Sequence, residues 1–422
     1  MSLTAEVPHW VPGSEDDLAE AICLGLLEEG HYLDLKREIS VGRAANKELA
    51  RDLASFAVDG GILLVGVSED DETGVLSPAP QPLAGLAERI EMVARTIADP
   101  PLAVLCSPIR SAQDPSLGYL VVRVPPSSAA PHMVEHRYLG RGDKTKLYLS
   151  DADVRRLHER RQATEQDALA LLQEQFDRDP IPPEDRKQAH LFLVAQPSAP
   201  MPQMLLDLVH GQDAPAKLAK FTRSVDTSEL RELLGSAGGF SPPLSYASDF
   251  ALRSTGAALT YGLASDRSCA PASGVSPEDV VEVEVDEDGG LRVFMSRLSD
   301  SLESADAVAS GQRLLMSGAV TYARQFIALT AAAADHANYL GNWILAAGAT
   351  GIKGIPVHDY LLRGRSGPRQ DAPVYQRATS ASYAELLKQP GTVTDRLIGR
   401  LLRATGIYDL YASAVANPPD PR

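Results

Sequence analysis

The chain has 422 residues, which is enough for two or three domains because single hydrophobic cores stop growing beyond roughly 250–300 residues. Hydrophobic residues make up 44% of the chain and charged residues 23%, as is usual for a soluble globular protein. The net charge of −16 argues against a protein that coats nucleic acid through general positive charge. Any contact with nucleic acid therefore requires a local basic surface.

Targeting and cysteine patterns argue against several classes of protein. The N-terminal residues are polar and acidic, without the basic start and apolar run of a secretory signal. The longest apolar stretch, around Ala328–Ala349, is interrupted by Asp335, His336 and Asn338, so we expect no membrane partner. Cys23, Cys106 and Cys269 are too few and too scattered for a disulfide framework or a cysteine-rich zinc site. We therefore expect a cytoplasmic protein.

The first part of the chain alternates between helical and strand patterns. Ser14 followed by three acids predicts a helix start, and the helix should end near Gly30. The patterns then predict a strand His31–Ile39, a helix Ala44–Val58, a turn Asp59–Gly61, a buried strand Ile62–Val67, a helix Leu86–Ala98, a hairpin-like pair Val104–Arg110 and Tyr119–Val124, and a basic helix from Asp151 to about Gln173, capped by Ser150. This order predicts an α+β fold.

The prolines at 180, 182 and 183 indicate a boundary after the basic helix. We expect a tail at 1–13, a domain at 14–162, a helical linker at 163–188, a regulatory or dimerisation domain of α+β type at 189–409, and a flexible tail at 410–422. Within the second part, the patterns predict a strand Ala189–Ala195, a hairpin of Val280–Val285 and Leu291–Ser296 around an Asp286–Gly290 turn, and one long or two shorter helices over Ala319–Ala347.

Acidic residues in the first part are placed where chemistry is possible. Glu29 lies at the close of the first helix, and Asp34 lies inside the next strand, where it projects to the same side as Lys36. Glu69 and Asp70 follow the strand Ile62–Val67. If the two strands pair, three carboxylates share one cleft and suit Mg²⁺ or Mn²⁺, which prefer oxygen ligands. The alternative is that these acids are surface charges at the ends of secondary-structure elements.

Several segments together resemble the Schlafen family. They are Glu29-Gly-His-Tyr-Leu-Asp34-Leu-Lys36, Lys47-Glu48-Leu49-Ala50, Ser55-Phe56-Ala57-Val58-Asp59-Gly60-Gly61, Leu63-Leu64-Val65-Gly66-Val67, Pro131-His132-Met133 and Tyr138-Leu139-Gly140-Arg141-Gly142-Asp143. The resemblance covers about residues 14–160. The chain departs from the family pattern with Asp34 where Glu is usual, Gly30 where Ser is common, and Val58 where Asn is usual.

The resemblance implies an AlbA-like domain with a mixed sheet and flanking helices. It further implies a metal-dependent endoribonuclease that cleaves structured RNA such as tRNA, which we place in a bacterial stress or phage response. By resemblance Glu29 and Asp34 are the first two active-site acids, Glu69 or Asp70 is the third, and Glu29, Asp34 and Asp70 bind Mg²⁺ or Mn²⁺. Lys36 would either stabilise charge that develops on phosphate or only hold Asp34 in its charged form. The basic residues expected to contact nucleic acid are Arg37, Lys47, Arg137, Arg141, Lys144 and Lys146.

A second hypothesis uses the same domain without catalysis. The chain would then be a transcriptional regulator that binds DNA or RNA, with its C-terminal region sensing a ligand or forming a homodimer. The absence of a P-loop sequence makes ATP binding a weak third hypothesis. The basic runs can also be interpreted as solvated helix faces, and His132 as a structural histidine.

Overall fold

The structure, a computed structural model, describes residues 11–70, 72–199, 201–225, 242–269, 274–302, 311–358 and 368–415. The chain divides into two compact units, residues 1–162 and 163–422, and the division falls inside a long helix, Asp151–Asp177. Both units combine helices with open sheets, so the α+β class predicted from the sequence is confirmed.

The first unit carries a mixed sheet between helices. Its elements are α1 (Glu15–Cys23), β1 (Leu33–Lys36), α2 (Arg43–Phe56), β2 (Gly61–Val65), β3 (Val67–Glu69), β4 (Leu76–Pro78), β5 (Gln81–Pro82), α3 (Leu86–Ile97), β6 (Leu105–Arg110), β7 (Leu117–Val124), β8 (Met133–Val134), β9 (Arg137–Arg141), β10 (Lys146–Tyr148) and the start of α4 (Asp151–Asp177). The main sheet has the order β1-β2-β7-β5, and β6 also pairs with β7. β1 and β2 are parallel, while β5, β6 and β2 each run antiparallel to β7. Strands β8, β9 and β10 form a separate small antiparallel sheet.

Apolar cores lie on both faces of the main sheet. Leu63 and Val65 pack with Leu53 of α2 and Ile90 of α3 on one face. Ile62 and Leu64 project to the other face, where Leu18 of α1 is part of the core. A strand that is covered on both faces has a continuous apolar sequence, which explains the run Ile-Leu-Leu-Val of β2.

The predicted elements of this unit are present, with shifted ends. Ser14 caps α1 by accepting a hydrogen bond from the Asp17 amide at 3.1 Å, as predicted, but α1 ends at Cys23 rather than near Gly30. The predicted strand Ile62–Val67 is divided at Gly66, which has a φ of 103°. A Cβ at Gly66 would lie 2.8 Å from the Tyr119 ring, so the close packing of β7 also requires glycine there.

The second unit is built on one large antiparallel sheet. Its strands are β11 (His190–Pro197), β12 (Asp249–Arg253), β13 (Gly256–Tyr261), β14 (Val281–Asp286), β15 (Leu291–Met295), β18 (Asn342–Thr350) and β19 (Val374–Ser382), in the order β12-β13-β14-β15-β11-β18-β19, with a separate ribbon of β16 (Ser299–Leu302) and β17 (Gly311–Leu314). Its helices are α5 (Leu206–Val209), α6 (Ala214–Arg223), α7 (Met316–His336), α8 (Tyr383–Lys388), α9 (Pro390–Thr394), α10 (Arg400–Ala404) and α11 (Ala412–Val415).

Two predictions for the second unit are confirmed and one is wrong. The predicted strand Ala189–Ala195 is present as β11, His190–Pro197. The hairpin forms as expected, with β14 pairing antiparallel to β15 around the Asp-Gly turn. The region Ala319–Ala347 is not helical throughout, because α7 ends at His336 and residues 342–350 form the buried strand β18. Trp343, Leu345 and Ala347 are buried together with the residues between them, and such a run cannot be told from a buried helix by periodicity.

Two of the expected connecting segments carry core residues instead. Ala168 and Leu172 lie in the expected linker at 163–188, yet they are buried in the core of the second unit beside Phe192. In the expected tail at 410–422, Ala414 and Val415 are buried on α11, and residues 416–422 lie outside the described residues. Within the described residues, no helix combines the length and the apolar character needed to cross a lipid bilayer.

Candidate functional site

Asp34 and Lys36 form an ion pair on one side of β1. The Lys36 Nζ atom lies 2.8 Å from Asp34 Oδ2, which confirms the prediction that the two side chains project together. Burial alone would lower the pKa of Lys36, but the hydrogen bond to Asp34 and the charges of Asp52, Asp34 and Glu29 outweigh it, so its pKa is raised. Lys36 is therefore a firmly charged ammonium group.

Arg141 of β9 reaches the same carboxylate from the small sheet. Its Nη2 atom lies 3.2 Å from Asp34 Oδ1, and its guanidinium also donates to the carbonyl oxygens of Gly30 and Leu33. The guanidinium stacks on the ring of Phe56 at 4.2 Å from the ring centroid. Arg141 is 8% exposed, so it joins β9 to the β1 segment instead of lying on the surface where the sequence analysis expected a nucleic-acid contact.

Glu29 accepts a backbone hydrogen bond next to this pair. Its Oε1 atom lies 2.8 Å from the amide nitrogen of Leu35, which is the residue between Asp34 and Lys36. Its carboxylate thus fixes the backbone of β1. The structure therefore brings Glu29, Asp34 and Lys36 together, as the sequence analysis expected.

Asp52 is a member of this cluster that the sequence analysis missed. It is 4% exposed on α2, and its carboxylate lies 2.6 Å from the ammonium group of Lys146. Burial raises the pKa of Asp52, and this effect outweighs the opposing influence of Lys146 and Lys36. A signal was present in the sequence, because Leu49, Asp52, Leu53 and Phe56 recur at helical spacing and place an acid on the apolar face of α2.

The predicted third acids lie at the end of β3 and in the turn that follows it. Glu69 is exposed at the end of β3, opposite Leu76. The Asp70 carboxylate accepts hydrogen bonds from the Thr73 hydroxyl at 2.7 Å and from the amides of Thr73 and Glu72, which lower the pKa of Asp70. Asp70 therefore caps its own turn.

The acids expected to bind a metal ion have other partners in the structure. Asp34 is already paired with two cations, and Asp70 is occupied by its turn. Within the described part of the chain, His, Cys, Asp and Glu side chains nowhere form a group of three or more that could hold a metal ion. The set Glu29, Asp34 and Asp70 is therefore not among such groups, and a Mg²⁺ or Mn²⁺ site formed by these three residues stays a prediction.

Most of the basic residues near the cluster are paired with acids. Lys146 contacts both Glu48 and Asp52, and Lys144 lies 3.2 Å from Glu28. Lys47 and Arg51 of α2 both contact Glu135, which lies at the β8–β9 turn. The hydrogen bonds from Lys47 and Arg51 lower the pKa of Glu135, as those from Lys146 and Arg51 lower the pKa of Glu48. The ion pairs of Lys47, Arg51 and Lys146 therefore connect the small sheet to α2.

Two of the expected nucleic-acid contacts differ from the rest. Arg37 is exposed just after β1. Arg137 is exposed on β9, with its guanidinium carbon 4.6 Å from the ring centroid of Tyr148 on β10. Tyr148 itself is 61% exposed. An exposed tyrosine that carries an arginine on its ring is a surface feature that the sequence analysis did not predict.

His132 is a structural residue. It is fully buried, with Nδ1 2.7 Å from the Pro100 carbonyl oxygen and Nε2 2.7 Å from the Ser127 hydroxyl. Both ring nitrogens are thus engaged in holding neighbouring loops.

Comparisons with known proteins give little further information. No protein-family model matches the chain, and no curated protein matches it. One similar solved structure is the solution NMR structure of the N-terminal domain of a putative ATP-dependent DNA helicase RecG-related protein from Nitrosomonas europaea. The two chains are 22% identical over 33% of this chain and 92% of that chain, with a TM-score of 0.24. A similarity at that TM-score carries no conclusion about this chain.

Proposed function

We propose that the first unit binds single-stranded nucleic acid without cleaving it. The observation that carries this proposal is the stacked pair of Arg137 and Tyr148 on the surface of the small sheet. The resemblance of residues 14–160 to a nucleic-acid-processing family supports the same class of ligand. This proposal takes up the second hypothesis of the sequence analysis, a binding module in a DNA or RNA regulator.

The pair has the properties of a base-stacking site. A solvent-facing aromatic ring offers a flat surface to any base, and such stacking contributes about 1–3 kcal/mol per base. The guanidinium group of Arg137, on the other side of the ring, is available to a phosphate. Its charge is also attracted to the ring. Tyr148 is 61% exposed, whereas its cross-strand neighbour on the same face, Leu139, is buried.

The ion-pair network limits how strongly the surface attracts phosphate. Lys47, Lys144 and Lys146 each have an acidic partner, so they release few counterions from a bound strand. If only Arg37 and Arg137 neutralise phosphates, the affinity for a single strand should fall with salt with a logarithmic slope near about −1.4, at about 0.7 per phosphate. Binding should therefore be only modestly sensitive to salt.

Fluorescence anisotropy with labelled single-stranded RNA and DNA tests the proposal in the full chain. Tyr148→Ala should weaken binding by about 5- to 150-fold, which corresponds to about 1–3 kcal/mol of stacking. Tyr246→Ala is the matched control, because Tyr246 is a half-exposed tyrosine of the second unit that also stacks, on Tyr261. Equal affinities for the wild type, Tyr148→Ala and Arg137→Ala would refute the proposal.

A second candidate function is the endoribonuclease that the sequence analysis expected. The observation that favours it is the ion pair of Asp34 with Lys36 at 2.8 Å, beside Glu29, whose carboxylate accepts a hydrogen bond from the Leu35 amide. Residues of the second unit would then control cleavage in a stress or phage response. Incubation with tRNA in the presence of Mg²⁺ or Mn²⁺ tests it, with Asp34→Ala as the variant. Cleavage by the wild type and not by the variant would favour the nuclease over the binding module, and cleavage by neither would reject it.

A further inference from the structure

Strand β14 carries three buried acids on one face. Glu282, Glu284 and Asp286 are each less than 10% exposed, while Val281, Val283 and Val285 occupy the opposite face. Burial of a carboxylate without compensation costs several kcal/mol, so acids in this position need cations beside them. The chain supplies four arginines, at positions 178, 253, 267 and 292.

Glu282 holds two of these arginines together. Its Oε1 atom lies 2.7 Å from Arg253 Nη2, and its Oε2 atom lies 2.7 Å from Arg267 Nε. Arg253 also donates from Nη1 to the carbonyl oxygens of Leu252 and Ser265. One buried glutamate therefore fixes two guanidinium groups in place before any ligand arrives.

The third arginine, Arg178, is held more loosely. Its Nη2 atom lies 3.8 Å from Glu284 Oε2, which is beyond hydrogen-bond distance, and its side chain is 45% exposed. Glu284 Oε2 is buried and has no hydrogen-bond partner among the described residues. The fold therefore places Arg178 beside Glu284 without fixing its guanidinium group through a hydrogen bond.

Arg178, Arg253 and Arg267 line a shallow cavity of about 600 Å³ that is wide open to solvent. Three serines, Ser254, Ser265 and Ser268, also line it. The volume lies within the range of small-molecule sites, about 300–1,000 Å³. Arginine guanidinium forks and the hydroxyls of Ser254 and Ser265 are donors that match the oxygens of a phosphate group, whereas the Ser268 hydroxyl already donates to Asp266.

Two arginines at the cavity have guanidinium nitrogens available to a ligand. Arg267 uses Nε for Glu282 and Nη1 for the carbonyl oxygen of Arg178, which leaves its Nη2 group without a partner among the described residues. Arg178 makes no hydrogen bond through its guanidinium within the same residues. The acids at the cavity wall are occupied, because Asp266 accepts from Ser268 and Asp179 pairs with His190 at 2.8 Å.

We propose that this cavity of the second unit binds a small molecule through its phosphate group. Arg267 and Arg178 bind the phosphate oxygens, Glu282 orients Arg267 and Arg253, and the remaining volume accepts a group about the size of a nucleoside. This proposal does not depend on nucleic-acid binding by the first unit.

Isothermal titration calorimetry of the full chain tests the proposal, with AMP, inorganic phosphate and adenosine as ligands. AMP and phosphate should bind and adenosine should not. Arg178→Gln should weaken AMP binding at least tenfold, and Arg178→Lys should weaken it less because it keeps the charge. Arg223→Gln is the matched control, since Arg223 is an exposed arginine of the same unit outside the cavity.

Two further measurements distinguish loss of the phosphate site from loss of the fold and from binding at the first unit. Circular dichroism should show that Arg178→Gln keeps the wild-type fold, because the half-exposed side chain makes only the loose contact with Glu284. Tyr148→Ala should bind AMP like the wild type. The proposal is overturned if AMP and phosphate do not bind, if adenosine binds as tightly as AMP, if Arg178→Gln and Arg223→Gln bind equally, or if Tyr148→Ala abolishes binding.

Discussion

The guanidinium of Arg141 lies 3.2 Å from the carboxylate of Asp34, although 107 residues separate the two in the chain. Asp34 also pairs with Lys36, so one acid on β1 neutralises a buried arginine from β9 and a lysine from its own strand. Asp34, which the family resemblance implies to be an active-site acid, thus connects two sheets of the first unit through its ion pair with Arg141.

Replacement of this acid should destabilise the first unit. Asp34→Asn leaves Arg141 buried without its counter-charge, and removal of one partner of a buried ion pair costs about 3–5 kcal/mol. Because Lys36 is partly exposed, we expect a somewhat smaller loss, about 2–4 kcal/mol. Urea unfolding followed by circular dichroism measures the change.

Glu38→Gln provides the control for this substitution. Glu38 is an exposed carboxylate only four residues away, so its neutralisation should leave the urea midpoint close to that of the wild type. If Asp34→Asn unfolds at the same urea concentration as Glu38→Gln, the ion pairs of Asp34 do not contribute to stability.

Close packing against Phe56 explains the glycine at the start of β2. A Cβ at Gly61 would lie 2.0 Å from Cδ1 of Phe56, the ring on which Arg141 stacks. Gly61→Ala should therefore displace the ring and cost about 1–3 kcal/mol, as overpacking of a core does. Gly30→Ala is the control, because the nearest atom to its Cβ is 3.9 Å away. Thermal unfolding that lowers the midpoint equally for both variants would contradict the steric explanation.

Local patterns predict much of this fold because they depend on neighbouring residues. The Ser14 cap, the β14–β15 hairpin and the shared side of Asp34 and Lys36 each follow from side-chain chemistry or strand alternation over a few positions. The parallel pairing of β1 with β2, on which the expected shared cleft was conditional, is also present.

The remaining features depend on contacts that no local pattern encodes. The pairing of Arg141 with Asp34 joins distant segments, and the position of Asp70 depends on the break at Gly66 and on the turn that Asp70 caps. Asp52 escapes a search of the sequence because a single acid on an apolar helix face becomes meaningful only when Lys146 lies opposite. Strand β18 has the sequence pattern of a buried helix because both of its faces are buried.

The pair of Asp52 and Lys146 should show strong energetic coupling. Asp52 is buried and Lys146 is only partly exposed, and residues in direct contact typically couple by about 0.5–3 kcal/mol. We expect the double variant Asp52→Asn with Lys146→Met to be more stable than the sum of the single changes predicts, by about 1–2 kcal/mol. Urea unfolding of the four proteins in the cycle measures this coupling.

The exposed pair of Lys144 and Glu28 is the matched control for this cycle. Its atoms lie 3.2 Å apart, but both side chains are more than half exposed, so its coupling should be below about 1 kcal/mol. Equal coupling in the two cycles would show that burial does not strengthen the Asp52 pair.

Tyr119 should make the stability of the first unit fall in alkaline solution. Burial, together with the hydrogen bond to the Glu15 carboxylate at 3.1 Å and the charge of that carboxylate, raises the pKa of Tyr119 to about 12. The tyrosine of the unfolded chain ionises near pH 10, so above that value the unfolded state releases its proton first. The contribution of Tyr119 is thus fully present below pH 10 and is lost as the pH rises through about 12, with a slope of at most about 1.4 kcal/mol per pH unit.

Urea unfolding between pH 8 and 12 should show a shallower fall for Tyr119→Phe than for the wild type, whereas Tyr148→Phe, which alters an exposed ring, should follow the wild type. Identical pH profiles for Tyr119→Phe and the wild type would show that ionisation of this tyrosine is not linked to unfolding.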